Sequence, residues 1–219
     1  MKRVPEPELM DDPEQAAAYA MADFEEPHGM FIRTFQSRFP DVDCRGNVLD
    51  LGCGAADITI RFARAYPGCY LYAVDGAMAM LNEGKSRIAT EGLVDRIELI
   101  QAVITKAAIP TCEYQAIISN SLLHHLHDPA SLWDCIKKYS CRNTAIFIMD
   151  LMRPENAAEA KKLVNTYAAE EPSVLKHDFY NSLCAAFTPA EVAVQLRTAG
   201  LQHLQVDVIS DRHMIITSQ

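Results

Sequence analysis

The stretch VLDLGCGAAD, residues 48–57, carries the clearest structural signal in this sequence. Its first four residues predict a buried strand, Gly52-Cys53-Gly54 predicts a tight turn, and a helix is predicted from Ala56 onward. A strand that passes through a glycine turn into a helix is the first unit of a doubly wound α/β fold. Ligands in such folds bind at the carboxyl ends of the strands, so this turn is a candidate binding loop.

The alternation of strands and helices continues on both sides of this loop. Apolar periodicity predicts a parallel sheet that is covered on both faces by helices. The predicted strands are 47–51, 69–74, 97–104, 116–119 and 144–150, followed by two near the end of the chain, 201–210 and 212–218. The predicted helices up to residue 150 are 13–24, 28–39, 56–66, 77–91 and 130–139.

The pattern changes after residue 150. A long helix is predicted over 154–169, followed by a polar, aromatic stretch at 176–187. A last helix is predicted to begin at Thr188-Pro189-Ala190-Glu191, with a hydroxyl N-cap, and to end at Gly200. The length of 219 residues fits one structural domain. We predict an N-terminal helical lid at 1–40 and a main domain at 41–219 with a helical insertion at about 154–187. Residues 1–12 are acidic and are expected to stay disordered until something covers them.

The charge of the glycine turn indicates which kind of ligand it binds. A dinucleotide-binding turn would need a third glycine where this chain has Asp57, and a carboxylate there disfavours pyrophosphate. Asp50 and Asp57 would instead balance positive charge on a ligand. Asp75, at the end of the next predicted strand, can accept both hydroxyls of a ribose. S-adenosylmethionine, a nucleoside with a sulfonium and an ammonium group, has this character.

These residues and three further motifs resemble the class I S-adenosylmethionine-dependent methyltransferases. AVDGAMAML (73–81) is similar to the second motif of that family, YQAIISNSLLHHLHDP (114–129) to its fourth, and IFIMDLMRP (146–154) to its fifth strand and following loop. The resemblance implies a Rossmann-like, seven-stranded, mostly parallel sheet with the last strand antiparallel. It also implies S-adenosylmethionine as cofactor, S-adenosylhomocysteine as product, and eight cofactor-binding residues: Asp50, Gly52, Gly54, Asp57, Asp75, Gly76, Val103 and Asn120.

Several positions depart from the pattern of that family. The third motif commonly carries Gly-Asp, whose carboxylate accepts from the adenine amino group, and this chain has Ala102 and Val103 there. One adenine hydrogen bond is therefore missing or comes from elsewhere, with the Val103 backbone amide as a candidate. Ala56 stands where the family commonly has glycine, and we expect a methyl group to be tolerated at a helix start.

The LHH sequence after the fourth predicted strand is similar to that of small-molecule methyltransferases of the quinone-biosynthesis kind. This resemblance implies a small-molecule acceptor, with His124 or His125 as a general base. Arg153 could hold an acceptor carboxylate or phosphate, or could form a salt bridge with Glu155 or Asp150. Tyr180 is a further catalytic candidate. The spacing of His124 and Asp128 also allows a metal site. We favour a position at the mouth of the pocket and predict no bound metal.

Composition narrows the range of partners. A net charge of −9 argues against a nucleic-acid-binding surface. No apolar run is long enough to span a membrane. Seven cysteines without a C-x-x-C pair indicate reduced thiols and a cytoplasmic protein. A homodimer is also considered.

Two other functions fit the same motifs. The altered third motif could mark an enzyme that uses the sulfonium for cyclisation or elimination instead of methyl transfer. The chain could also be a non-catalytic methyltransferase-like subunit that binds a protein partner.

Overall fold

The computed structural model of this chain describes residues 1–104 and 108–218. Seven strands form one sheet in the order β3-β2-β1-β4-β5-β7-β6. β1 to β5 are parallel, and β7 is antiparallel to both of its neighbours. The strands are β1 (Asn47–Leu51), β2 (Tyr70–Asp75), β3 (Ile97–Gln101), β4 (Tyr114–Asn120), β5 (Ala145–Leu151), β6 (Gln205–Val208) and β7 (His213–Thr217). The predicted doubly wound sheet with an antiparallel last strand is thus confirmed.

Eight α-helices lie within the described residues. They are α1 (Pro13–Met21), α2 (Glu25–Arg38), α3 (Asp57–Ala65), α4 (Met78–Thr90), α5 (Ala130–Tyr139), α6 (Ala157–Tyr167), α7 (Ser173–Ala185) and α8 (Pro189–Ala199). A short 3₁₀ turn, Leu123–His125, follows β4. In the part of the chain that the structure describes, no helix has the length and apolar character needed to cross a membrane.

The two faces of the sheet pack against different helices because successive strand residues point in opposite directions. In β5, Phe147 packs in the cluster with α2, α3 and α4, whereas Ile148 packs in the cluster with α5 and α8. Phe31 and Phe35 of α2 meet the Phe147 ring edge-on, with ring centroids 4.8 and 5.6 Å apart. Helix α2 is therefore fixed to the sheet, while its first residues, together with α1, α7 and the residues before α1, line the cavity at the carboxyl ends of the strands.

The region after β5 differs from the sequence prediction. The polar stretch at 176–187 lies mostly in α7, a helix that we did not predict. Leu175 and Leu183 are buried, and Phe179 packs against the same small cluster as Leu183. This i, i+4 spacing is a helical signal, but the start of α7 follows Pro172 without a side-chain cap. The third strand also ends at Gln101, short of the predicted residue 104.

Residues 1–12, here called the N-terminal strap, contain no helix or strand but make specific contacts with the rest of the chain. The Val4 amide donates to the Cys184 carbonyl at 3.0 Å. The Arg3 guanidinium donates to the carbonyls of His124 and Leu126 at 2.9 and 3.0 Å. These bonds tie the strap to α7 and to the 3₁₀ turn, so the covering that orders it comes from the chain itself.

The start of α8 has the predicted capping box. Thr188 Oγ1 accepts from the Glu191 amide at 3.3 Å, and the Glu191 carboxylate accepts from the Thr188 amide at 2.8 Å. The Thr188→Ala variant is expected to lower the free energy of unfolding by about 1 kcal/mol, because the Glu191 amide loses its side-chain acceptor. Urea denaturation measures this change.

The matched control for this variant is Thr198→Ala, the same substitution at an exposed position of the same helix. Thr198 makes only a back-bond to the Val194 carbonyl, so stability should be unchanged or slightly higher. Equal losses in both variants would contradict a capping role for Thr188.

Candidate active site

The glycine turn after β1 forms the floor of a large cavity at the carboxyl ends of the strands. Gly52 and Gly54 have left-handed φ values of 73° and 53°. The Gly52 and Cys53 amides donate to the Val74 carbonyl at 2.8 and 3.0 Å, which holds the turn against β2. Ala56 also has a left-handed φ of 62°, a conformation that costs a non-glycine residue about 1–2 kcal/mol. This explains why glycine suits position 56.

Asp75 ends β2 beside this turn. Its carboxylate accepts from the Gly54 amide and from the Ala77 amide, both at 2.8 Å. Burial raises the pKa of Asp75, while these amide hydrogen bonds act in the opposite direction. The carboxylate makes no salt bridge within the described residues and lines the cavity. Its orientation is thus set by backbone amides, and both oxygens keep a free lone pair.

The two acidic residues predicted to balance a cationic ligand lie in different surroundings. Asp50 is buried in β1, where it accepts from the Thr59 hydroxyl at 2.6 Å, and burial raises its pKa to about 7. Asp57 pairs with His28 Nδ1 and Arg61 Nε, both at 2.6 Å, and also with Arg87. Burial raises the pKa of Asp57, but the bonds to His28 and Arg61 outweigh it and lower the pKa.

Both residues line the cavity. However, the negative charge of Asp57 is already neutralised by side chains of the chain itself. Asp50, with its carboxylate bonded only to a hydroxyl, is the better placed of the two to respond to a positively charged ligand.

Asp50 should make the stability of the protein depend on pH. The folded state keeps the Asp50 proton up to a pH of about 7, whereas the unfolded chain releases it near pH 3.8, the ordinary pKa of an aspartate. The contribution of Asp50 to stability is therefore fully present below its pKa in the unfolded chain and is lost as the pH rises through its pKa in the folded protein. Asp50→Asn cannot lose a proton, so its stability relative to the wild type should increase between these two values. Urea denaturation at several pH values measures the difference, and a constant difference would contradict the prediction.

The histidines after β4 lie at the opposite side of the same cavity. His124 is buried, and its Nδ1 lies 2.6 Å from Asp150 Oδ1. Burial lowers the pKa of His124, but the Asp150 carboxylate outweighs it and raises the pKa. Burial and the adjacent His124 lower the pKa of His125 to about 3, so His125 is a neutral and weakly basic group. Ser121, which precedes this turn, has a left-handed φ of 55°.

Asn120 and Val103 lie between these two sides of the cavity. Asn120 Nδ2 donates to Ser121 Oγ at 3.3 Å, and Asn120 Oδ1 is a buried acceptor that no described residue partners. Val103 is partly exposed beside the end of β3, and the amide of the preceding Ala102 donates to the Asp75 carbonyl at 2.9 Å. Asn120 Oδ1 and the Val103 backbone could therefore form hydrogen bonds with polar groups of a ligand.

Two predicted catalytic residues do not line this cavity. Arg153 donates to Glu191 at 2.6 Å and to the Ala186 carbonyl at 3.0 Å, so its guanidinium is held away from any acceptor. Sequence analysis could not place Glu191 beside it, since the two residues lie on different elements. Tyr180 packs against the small cluster between α6 and α7 and lines a separate shallow depression. The expected acceptor-binding role of Arg153 and the catalytic role of Tyr180 are therefore not supported by their positions.

Glu6 is a site residue that the sequence analysis missed. The strap carries it into the cavity, where its Oε1 lies 3.6 Å from His124 Nε2 and 3.3 Å from His125 Nδ1. Ser182 Oγ of α7 donates to the same oxygen at 3.0 Å. Burial raises the pKa of Glu6. No local pattern around a single glutamate in a proline-bearing segment could reveal this placement.

The cavity has a volume of about 1100 Å³ and brings together ten of the twelve predicted site residues. These ten are Asp50, Gly52, Gly54, Asp57, Asp75, Gly76, Val103, Asn120, His124 and His125. Typical small-ligand sites measure about 300–1,000 Å³. The cavity is thus large enough for a cofactor and a second molecule.

Part of the chain is similar in sequence to known methyltransferases. Residues 48–139 match the model of a methyltransferase domain. This part of the chain is a methyltransferase domain. An uncharacterized methyltransferase of Mycobacterium tuberculosis is 36% identical over 81 residues, which cover 37% of this chain and 38% of that protein. A release factor glutamine methyltransferase of Gloeobacter violaceus is 35% identical over 78 residues, 35% of this chain and 27% of the relative. The matches thus span less than two fifths of these relatives.

Solved structures share the fold of the methyltransferase domain over nearly the whole chain. A SAM-dependent methyltransferase from Aquifex aeolicus superposes with a TM-score of 0.65 and 16% identity, covering 94% of this chain and 97% of that one. The plantazolicin methyltransferase in complex with SAH gives a TM-score of 0.70 at 14% identity, covering 95% and 91%. At these identities the likeness concerns the fold. Together with the family match over residues 48–139, this likeness supports the predicted resemblance to the class I S-adenosylmethionine-dependent methyltransferases.

Proposed function

We propose that this chain transfers the methyl group of S-adenosylmethionine to a small molecule that binds in the same cavity. The observation that carries the proposal is that one cavity joins the glycine turn and Asp75 on one side to His124 and His125 on the other. The methyltransferase domain supports the cofactor, and the cover formed by α1 and the strap supports an acceptor of limited size.

The cofactor side of the cavity fits S-adenosylmethionine. A Cβ atom at Gly52 would lie 2.8 Å from the Leu122 side chain, and one at Gly76 would lie 2.6 Å from Leu9. Glycine at these two positions therefore lets Leu122 and Leu9 pack directly against the backbone of the cavity wall. Asp75 would hold the ribose hydroxyls, the Val103 backbone and the Asn120 oxygen lie where further polar groups of the nucleoside could bind, and Asp50 would face positive charge.

When bound, S-adenosylmethionine supplies an electrophilic methyl group on a positively charged sulfur. The chain's own contribution is to align an acceptor with that group and to exclude water. Tyr19 of α1 and Leu9 of the strap line the cavity and cover it from the solvent side. An acceptor that carries a proton would lose it at the end of the cavity formed by His124, His125 and Glu6.

The acceptor end of the cavity is acidic. Glu6 and Asp178 line it, and Gln15 Nε2 donates to Asp178 at 2.8 Å. Because Arg153 is held by Glu191, no guanidinium from this loop offsets these carboxylates. A neutral or cationic acceptor therefore fits better than a carboxylate or a phosphate.

The proposal is tested by incubating the purified chain with S-adenosylmethionine that carries a deuterated methyl group and a cell extract. Mass spectrometry of the small-molecule fraction should show one metabolite that gains the labelled methyl, with an equal amount of S-adenosylhomocysteine. A label found only in protein or nucleic acid would overturn the small-molecule acceptor. Cofactor cleavage without S-adenosylhomocysteine would overturn methyl transfer.

A further inference from the structure

Three metal-binding side chains from two distant parts of the sequence meet at the acceptor end of the cavity. Glu6 comes from the strap, and His124 and His125 come from the turn after β4. The three groups each present one ligand atom, and these atoms lie within 4.8 Å of one another. Glu6 and His125 are partly buried and His124 is fully buried, so this is not an exposed acidic cluster.

The hydrogen bonds around these atoms leave lone pairs that face one another. His124 Nδ1 donates to Asp150 Oδ1, so in the neutral form of the ring, which is the form that binds a metal ion, Nε2 presents a lone pair toward Glu6. His125 Nδ1 is buried, and no residue in the described ranges hydrogen-bonds to it although Glu6 Oε1 lies 3.3 Å away. A buried acceptor left unpaired is costly, and a cation between these atoms would satisfy all three.

The spacing of the atoms matches a tetrahedral ion. Bonds from Zn²⁺ to imidazole nitrogen and carboxylate oxygen measure about 2.0–2.2 Å, which places two tetrahedral ligands about 3.4 Å apart. Glu6 Oε1 lies 3.6 Å from His124 Nε2 and 3.3 Å from His125 Nδ1. An ion could therefore bind without a large movement of these side chains.

The surrounding groups support such an ion. Asp150 fixes the tautomer and orientation of His124, and Ser182 Oγ donates to Glu6, as second partners of metal ligands commonly do. Asp178 adds a third nearby carboxylate. Arg3 is the opposing charge, and it donates to the His124 and Leu126 carbonyls. When all four groups are ionised, the carboxylates of Glu6, Asp150 and Asp178 outweigh the Arg3 guanidinium, and this end of the cavity carries a net negative charge.

We propose that Glu6, His124 and His125 bind a divalent first-row transition metal ion such as Zn²⁺ or Fe²⁺, with an open coordination position toward the cavity. Two imidazoles and one carboxylate are a ligand set typical of these ions. Sequence analysis predicted no metal because it weighed His124 with Asp128, whereas Asp128 caps the start of α5 at the Ala130 amide. In a role that rests on the proposed function, the ion would bind an acceptor oxygen or sulfur and favour its deprotonated form.

Titration of the full chain with Co²⁺, in the absence of S-adenosylmethionine, tests the site directly. One equivalent should produce the visible absorption bands of a four- or five-coordinate Co²⁺ ion with nitrogen and oxygen ligands, and one equivalent of Zn²⁺ should remove them. Glu6→Gln, which keeps an acceptor for Ser182, should weaken Co²⁺ binding at least about 10-fold. His125→Ala should do the same.

Glu8→Gln is the matched control, since Glu8 also places a carboxylate near an imidazole, that of His127 at 3.8 Å, but in an exposed position. The variant keeps an acceptor for the His127 amide and should leave the bands and the affinity unchanged. Absence of the bands in the wild type, unchanged binding by Glu6→Gln, or a thiolate charge-transfer band from the cysteines would each overturn the proposal.

The methyl-transfer assay separates this site from the proposed function. Metal binding is measured without cofactor or acceptor, so it stands or falls independently of methyl transfer. With both present, removal of the metal by a chelator should abolish labelling and Zn²⁺ or Fe²⁺ should restore it. Full labelling by a metal-free protein would overturn the role of the ion in acceptor activation while leaving the methyl transfer itself established.

Discussion

The Asp75→Asn variant is expected to bind S-adenosylmethionine about 10–100-fold more weakly than the wild type, since one hydrogen bond to a charged group contributes about 1.5–3 kcal/mol. The substitution keeps the shape of the side chain but replaces one accepting oxygen by a donating amide. That amide would also face the Gly54 or the Ala77 amide, which both donate to Asp75. Isothermal titration calorimetry measures the affinity.

S-adenosylhomocysteine should lose as much affinity as S-adenosylmethionine, because both ligands carry the ribose that Asp75 is proposed to hold. Asp95→Asn, at an exposed position before β3, is the matched control and should bind both ligands like the wild type. A folded Asp75→Asn protein with unchanged affinity would contradict the role of Asp75. A loss confined to the sulfonium ligand would assign Asp75 to charge balance instead.

The Gly52→Ala variant is expected to lower the free energy of unfolding by about 2–5 kcal/mol, the sum of left-handed strain and overpacking. Gly52 has a φ of 73°, and a Cβ atom there would lie 2.8 Å from Leu122 Cδ1 and 2.9 Å from Leu122 Cβ. Leu122 cannot move its Cβ without moving the turn that precedes His124. Urea denaturation measures the loss.

Gly92→Ala separates the two causes, because Gly92 has a similar φ of 66° and no described atom within 4 Å of an added Cβ. Its free energy of unfolding should fall only by the cost of the left-handed backbone conformation, about 1–2 kcal/mol. In the double variant Gly52→Ala/Leu122→Ala, the free energy of unfolding should lie closer to that of Leu122→Ala than the sum of the two single effects predicts. Equal losses in Gly52→Ala and Gly92→Ala would show that the contact with Leu122 is unimportant.

The features that sequence analysis predicted correctly are those with local signals. Buried parallel strands are continuous apolar runs, so β1, β2, β4 and β5 were found within two residues of their bounds. The capping box at Thr188 and the glycine turn after β1 are also set by adjacent residues. Helix α7 was missed because its apolar spacing is masked by polar and aromatic residues and its start has no side-chain cap.

The features that were missed depend on contacts between distant segments. Arg153 was assigned to the acceptor, but its partner Glu191 lies on α8. Asp57 was expected to balance a ligand, yet α2 and α4 bring His28 and Arg87 to it. Glu6 reaches the histidines because Arg3 and Val4 tie the strap to the 3₁₀ turn and to α7. Charge patterns in one segment do not show which counter-charge another segment will supply.

The strap lies outside the segment that matches the methyltransferase domain. The residues proposed to hold the nucleoside fall within 48–139, whereas Glu6 lies outside that match. If Glu6 has the proposed role, two proteins with the same matched segment but different leading residues would bind the same methyl donor and differ at the acceptor end of the cavity. The matched segment contains His124 and His125 but not Glu6, so by itself it does not define the acceptor.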